Sequence, residues 1–139
     1  YGVTAFRVVR RGGTWITEDV WQTKDVSLHM TNGVVVHGVF YGLSHLNSGQ
    51  YFGIDLSTGA VLWTSEPRQA ENAAMVSAGP IIFALEDDGE LVVMRASRSG
   101  MDVVKRYDVA DSATWAQPAI SGDSIYVKDI AQLTLWTLR

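Results

Sequence analysis

The chain has 139 residues, the length of about one ordinary domain, with 47% hydrophobic and 19% charged residues, so a packed core is affordable and general disorder is excluded. A net charge of −4, with no basic run beyond Arg10-Arg11, argues against a nucleic-acid or anionic-membrane surface. The absence of cysteine removes disulfides, zinc–thiolate sites, iron–sulfur clusters and thiol catalysis together, and no apolar run approaches the length of a membrane span.

In chain order the sequence reads as short strands separated by turn chemistry. Ala5 to Arg10 and Thr14 to Gln22 form the first pair, joined by Gly12-Gly13. Four strands follow at Leu28 to Val36, Val39 to Ser44, Tyr51 to Leu56 and Ala60 to Thr64. "GVVVHGVFYGL" is rich in β-branched and aromatic residues, and "NSG" and "STG" bound the next two runs. The next four are Ala73 to Ser77, Ile81 to Glu86, Leu91 to Ala96 and Val103 to Tyr107. The last three are Ala116 to Ile120, Ser124 to Lys128 and Leu133 to Leu138. The one helical candidate is a single turn within "PRQAENAAMV".

The strands repeat. Aligned on a shared turn, Gly38, Gly79 and Gly122 stand 41 and 43 residues apart, and Trp21 and Trp63 stand 42 apart. That period matches a four-stranded propeller blade. The predicted fold is all-β, a β-propeller fragment of about three blades. Strands C and D of one blade fall in residues 1–24, a full blade in 25–66, a second in 67–109, and strands A to C of the last in 110–139. Tyr1 lies inside a strand without an initiator Met, and no final D strand follows Arg139. Closed propellers often complete one blade from both chain ends, because closure removes exposed edges. The expectation is that this chain joins the remaining blades of a larger ring or associates with other chains.

"GIDLSTGAVLW", Gly53 to Trp63, resembles the A-x-D-x-x-T-G-x-x-x-W signature of PQQ-like repeat propellers. Asp55, Thr58, Gly59 and Trp63 occupy motif positions, and Gly53 replaces the motif's Ala. Asp55 is expected to accept backbone N–H groups in the turn, Gly59 to supply a positive φ, and Trp63 to fill the space between blades. The first unit keeps Gly13 and Trp21. The third keeps Gly100, with Arg95 at the place of Asp55 and Val104 at that of Trp63. The resemblance implies architecture more than chemistry. The family includes quinone-dependent dehydrogenases, outer-membrane-protein assembly lipoproteins and many secreted bacterial proteins, so it implies a periplasmic, secreted or cell-envelope location.

Candidate chemistry is sparse. His29, His37 and His45 lie eight residues apart in one blade. Hairpin geometry puts His29 and His45 on opposite sheet faces and His37 at the far end, so ordinary surface or hydrogen-bonded histidines are the preferred reading over a metal site. The loop "EDDGE" offers Asp87, Asp88 and Glu90 as weak Ca²⁺ candidates, against the preferred reading of a hairpin turn with solvated charges. No G-x-S-x-G elbow or phosphate loop is present. Trp15, Trp115 and Trp136 are available for stacking, but packing between blades is the preferred explanation for them. The B–C and D–A connections share one rim, which is mostly acidic, while Arg10, Arg11 and Arg98 lie on the other.

The function expected is therefore a non-catalytic scaffold whose rim loops bind protein partners, with no cofactor. One alternative is part of a PQQ-dependent dehydrogenase, with PQQ and Ca²⁺. The other is a structural subunit of a larger bacterial complex.

Overall fold

A computed structural model describes residues 2–137. The described residues form thirteen strands in four antiparallel sheets. β1 (Val3–Arg11) and β2 (Thr14–Thr23) make a two-stranded sheet. β3 (Val34–Val36), β4 (Val39–Ser44), β5 (Gln50–Asp55) and β6 (Val61–Thr64) make a four-stranded sheet in sequence order. β7 (Ala73–Ala78), β8 (Ile81–Glu86), β9 (Glu90–Arg95) and β10 (Asp102–Asp108) repeat it. β11 (Ala119–Ser121), β12 (Ser124–Lys128) and β13 (Leu133–Thr137) form a three-stranded sheet. These are the C–D, two full and A–B–C sets expected from the repeat. Tyr1, Leu138 and Arg139 lie outside the described residues, and with them the end of the last predicted strand.

The core sits between sheets rather than within one. The first junction buries Val26, Phe52 and Ile54 with Trp21 and Phe40 packed against them. The second joins Val39, Tyr41, Leu43 and Tyr51 to Met75, Ile82, Val92 and Met94. The third joins Phe83, Leu85, Leu91 and Val93 to Ile125 and Val127. Side chains alternate across a strand, so Ile82 and Ala84 serve the second junction while Phe83 and Leu85 serve the third. Both faces of the middle sheets are therefore covered. That is why "IIFAL" and "LVVM" are continuous apolar runs, where a one-sided strand would alternate.

A register feature repeats with the fold. The last strand of each of the first three sheets carries a bulge beside its neighbour, at Val20, Leu62 and Val104. Each is 42 residues from the next. The residue after the bulge is re-aimed by it. Those residues are Trp21, Trp63 and Lys105, so Lys105, not Val104, occupies the place of Trp63. The turn register is corrected in the same way. His37, Gly79 and Gly122 take the first central position of their two-residue turns, with φ of 49°, 58° and 59°. Gly38, with φ 75°, takes the second, alongside Pro80 and Asp123.

Two further expectations are corrected. Leu28 to Gly33 is irregular, and only Val34–Val36 pairs as strand. Here the chain gives its hydrogen bonds elsewhere: Thr31 Oγ1 donates to Leu43 O at 3.1 Å, and Asn32 exchanges two bonds with the Met75 backbone, each 2.8 Å. The helical candidate at 67–76 is bend and strand, while a single 3-10 turn forms at Leu46–Ser48.

Candidate functional site

The signature residues of the Asp55–Trp63 segment act within and between blades. Asp55 Oδ1 accepts the backbone N–H of Ser57 at 3.0 Å and of Thr58 at 3.1 Å, and the Ser57 hydroxyl at 2.5 Å. Its Oδ2 receives Arg98 Nη2 at 2.5 Å from the next blade. These bonds, Arg98 first, hold the Asp55 carboxyl well below the usual carboxylate range. The Thr58 hydroxyl accepts Ala60 N–H at 3.3 Å. Gly59 has φ 77°, and a Cβ there would lie 2.6 Å from the Trp21 ring, so the turn is seated on the indole of the preceding blade. Trp21 Nε1 donates to Leu56 O at 2.8 Å and Trp63 Nε1 donates to Ser97 O at 3.0 Å. The two tryptophans thus make the same forward bond, one blade apart. Gly53, where the motif carries Ala, lies under the Trp63 indole. A Cβ would stand 2.7 Å from Nε1, which accounts for the departure.

Trp136 makes a bond of the opposite sense, donating Nε1 to Val109 O of the preceding blade at 3.1 Å. It lines a groove of about 690 Å³ with Tyr107, Val109 and Ile125. Trp15 and Trp115 are exposed.

The rim formed by the B–C and D–A connections holds the densest polar chemistry. Glu86, at the end of β8, is 1% exposed. Its Oε1 accepts the Tyr51 hydroxyl at 2.6 Å, and its Oε2 lies 3.7 Å from Arg106 Nη1. Arg106 also binds Glu90, and its Nη2 donates to Gln69 Oε1 at 2.9 Å. The Thr114 hydroxyl donates to the Glu86 carbonyl. Tyr51 of one blade and Arg106 of the next therefore meet at the Glu86 carboxyl, while Gln69 and Thr114 of the flanking connections hold Arg106 and the Glu86 main chain. Burial pushes the Glu86 carboxyl up to about 7, against the opposing pull of the Tyr51 bond and the Arg106 charge. Burial, followed by the neighbouring Glu86 charge, also raises the Tyr51 phenol.

The "EDDGE" segment forms the hairpin turn expected, with Asp88 exposed, but Asp87 and Glu90 are not simply solvated. Asp87 Oδ1 accepts Asn72 N–H at 2.8 Å, Asp88 Oδ1 accepts Glu90 N–H at 3.1 Å, and Glu90 pairs with Arg106. The three Ca²⁺ candidates spend carboxylate oxygens on separate protein donors. Among the described residues no group of three or more His, Asp or Glu is placed to hold a metal. Sequence reasoning missed Glu86 as a distinct residue because nothing local separates it from Asp87. The signal was its position, since it ends the apolar run "IIFAL" and so stays on a buried face.

The histidines are also corrected. The His29 and His45 rings lie 5.5 Å apart between centres, inclined by 54°, rather than on opposite faces. The register that separated them presumed a strand from Leu28, and that segment does not pair. His37 sits in the A–B turn at the other end of the sheet.

Searched against known proteins, the chain resembles solved structures in fold. BamB from Moraxella catarrhalis superposes with a TM-score of 0.71 at 16% identity, over 97% of this chain and 43% of that one. The chain has the fold of a β-propeller segment. A europium-containing methanol dehydrogenase gives a TM-score of 0.52 at 19% identity, over 68% of this chain and 19% of that one. The computationally designed Ika8 protein gives 0.50 at 9%, over 94% and 57%. The chain thus spans less than half the length of the BamB structure it matches. No protein-family profile matches the sequence, and no curated protein matches it either. No helix among the described residues is long and apolar enough to cross a membrane.

Proposed function

We propose that this chain is part of a non-catalytic propeller scaffold that binds other proteins through its acidic rim, in the bacterial cell envelope. One observation carries the reading. The conspicuous motif residues Trp21, Asp55, Gly59 and Trp63 are occupied in shaping the turn and joining blades, while the rim presents ordered loops with exposed anchors. Met30, Trp115 and Ile130 are 67%, 57% and 72% exposed there, among Asp25, Glu66, Glu71, Asp87, Asp88 and Asp111. Large exposed apolar and aromatic side chains within a mostly acidic charge field are what a docking surface needs. The resemblance to PQQ-like repeat propellers, which include assembly lipoproteins, supports both the binding role and the location.

Two experiments test it. Addition of PQQ and Ca²⁺ to the purified protein is expected to yield no quinone absorbance shift and no dye reduction; turnover would overturn the reading in favour of a dehydrogenase. A photo-crosslinking residue at Trp115 is expected to give discrete protein adducts in cell-envelope extract, while one at Arg98 on the opposite rim gives none. Equal labelling from both positions would remove the rim from the argument.

A further inference from the structure

The first hairpin is longer than its counterpart in the next blade, and the extra length carries a surface of its own. Phe6 pairs with Asp19 where the next blade pairs Ile54 with Val61. Past that pair the next blade turns within residues 55–60, while β1 and β2 stay paired as far as Arg11 and Thr14. The excess is about three residues on each strand, which at about 3.4 Å apiece makes an arm reaching about 10 Å past the neighbouring turn. Val3 and Trp21, at the base of the hairpin, pack in a junction core, but none of residues 7–18 belongs to any of the three buried clusters. The arm stands on the same rim as Arg98, opposite the acidic one.

Its two faces follow from the register. Val8 lies opposite Thr17 and Arg10 opposite Trp15 on one face; Arg7 opposite Glu18, Val9 opposite Ile16 and Arg11 opposite Thr14 share the other. Trp15 is 67% exposed, Val8 55% and Ile16 37%. Apolar side chains thus project from both faces. A groove on a folded partner needs one such face, whereas an arm that is apolar all round suits a medium that surrounds it. The charge is cationic, with three arginines to one glutamate, and Glu18 is taken by Arg11. Among the described residues no carboxylate pairs with Arg7 or Arg10. On the same rim Asp55 and Asp102 are paired with Arg98 and Arg95, so the net charge of the whole chain does not describe the field around the arm. Both strands have a free edge, and open edges do not enter hydrocarbon. The depth available is therefore the headgroup layer, where Trp rings settle and cations meet phosphate.

We propose that residues 7–18 form an arm that docks on the surface of an anionic phospholipid bilayer, with Trp15, Val8 and Ile16 among the headgroups and Arg7 and Arg10 on their phosphates. The acidic rim then points away from the like-charged lipid. The arm stands without the scaffold reading, since it uses no residue of that rim.

The test is co-sedimentation of the purified chain with vesicles of phosphatidylglycerol and phosphatidylcholine in equal parts, and with vesicles of phosphatidylcholine alone, together with tryptophan fluorescence. Wild type is expected to sediment with the anionic vesicles only, with a blue-shifted emission that is lost in Trp15→Phe. Arg7→Gln/Arg10→Gln is expected to weaken binding about thirtyfold, and added salt to weaken it further. Replacing residues 7–18 by the shorter turn sequence of residues 55–60 is expected to remove it. Lys105→Gln, which alters an exposed cation away from the arm, is expected to bind as wild type. Circular dichroism checks that each variant keeps its fold. No binding to anionic vesicles, equal binding to neutral ones, or undiminished binding by the shortened arm would overturn the proposal. So would a photo-crosslinking residue at position 15 that gives discrete protein adducts in place of lipid adducts in cell-envelope extract, because the arm would then dock on protein.

Discussion

Replacing Glu86 by Gln isolates the energetic consequence of one buried carboxyl. The side chain keeps its shape and can still accept the Tyr51 hydroxyl, but the charge is gone. In the folded protein the Glu86 carboxyl is raised from 4.5 to about 7. At about 1.4 kcal/mol per unit, that displacement amounts to about 3 kcal/mol of differential stability. The sign follows from which state holds the proton more tightly. The folded state does, so this contribution is fully present below about pH 4.5, declines as pH rises, and is lost above about 7. The groups facing Glu86 are Tyr51, Arg106, Glu90 and Asp88, and only Arg106 is cationic. Its pull on the ionised form is already contained in the net upward displacement. Urea unfolding of wild type and Glu86→Gln at pH 4.5, 6 and 8 is the assay. The two proteins are expected to match at the lowest pH, and the variant to be the more stable by about 3 kcal/mol at pH 8. A stability difference that stays constant across the series would refute the reasoning, because it would place the carboxyl's ordinary titration in both states.

Trp63→Ala removes packing against Tyr41, whose ring centre lies 6.1 Å away, and the bond to Ser97. It is expected to cost about 2–4 kcal/mol in chemical denaturation; a loss below about 1 kcal/mol would show that this junction is not held by the indole. Gly59→Ala and Gly79→Ala both place a side chain at positive φ, but only the first meets an obstacle, the Trp21 ring. Thermal melts are expected to show a loss of about 1 kcal/mol at Gly79 and clearly more at Gly59, with altered Trp fluorescence in the latter alone. In an NMR titration the Asp55 carboxyl is expected to stay ionised below the usual carboxylate range, and Arg98→Ala to move its midpoint back upward. An unmoved midpoint would show that the ion pair does not form in solution.

The repeat was legible because it is written in chemistry that acts locally. Turn glycines, a Thr-Gly pair after Asp55 and a tryptophan at a fixed offset require only their own hairpin to make sense. The strand frame followed from them. The continuous apolar runs of β8 and β9 likewise announced burial on both faces. What went astray depended on pairing across the chain. Gly38 and Val104 were each misplaced by one position, since a two-residue turn accepts glycine at either centre and a bulge shifts register without any mark in the sequence. Glu86 looked like its neighbours Asp87 and Asp88 until a second blade brought Tyr51 against it.

The sequence by itself therefore determined the architecture: period, strand order and the residues that close each turn, all consequences of contacts a few residues long. The tertiary structure alone decided the chemistry. It buried Glu86 between Tyr51 and Arg106, joined Trp21 and Trp63 to the following blade, and set His29 against His45 by leaving residues 28–33 out of the sheet. Each of those pairs is separated by many residues. Their meeting depends on how blades pack and where a strand stops pairing, which no local pattern encodes.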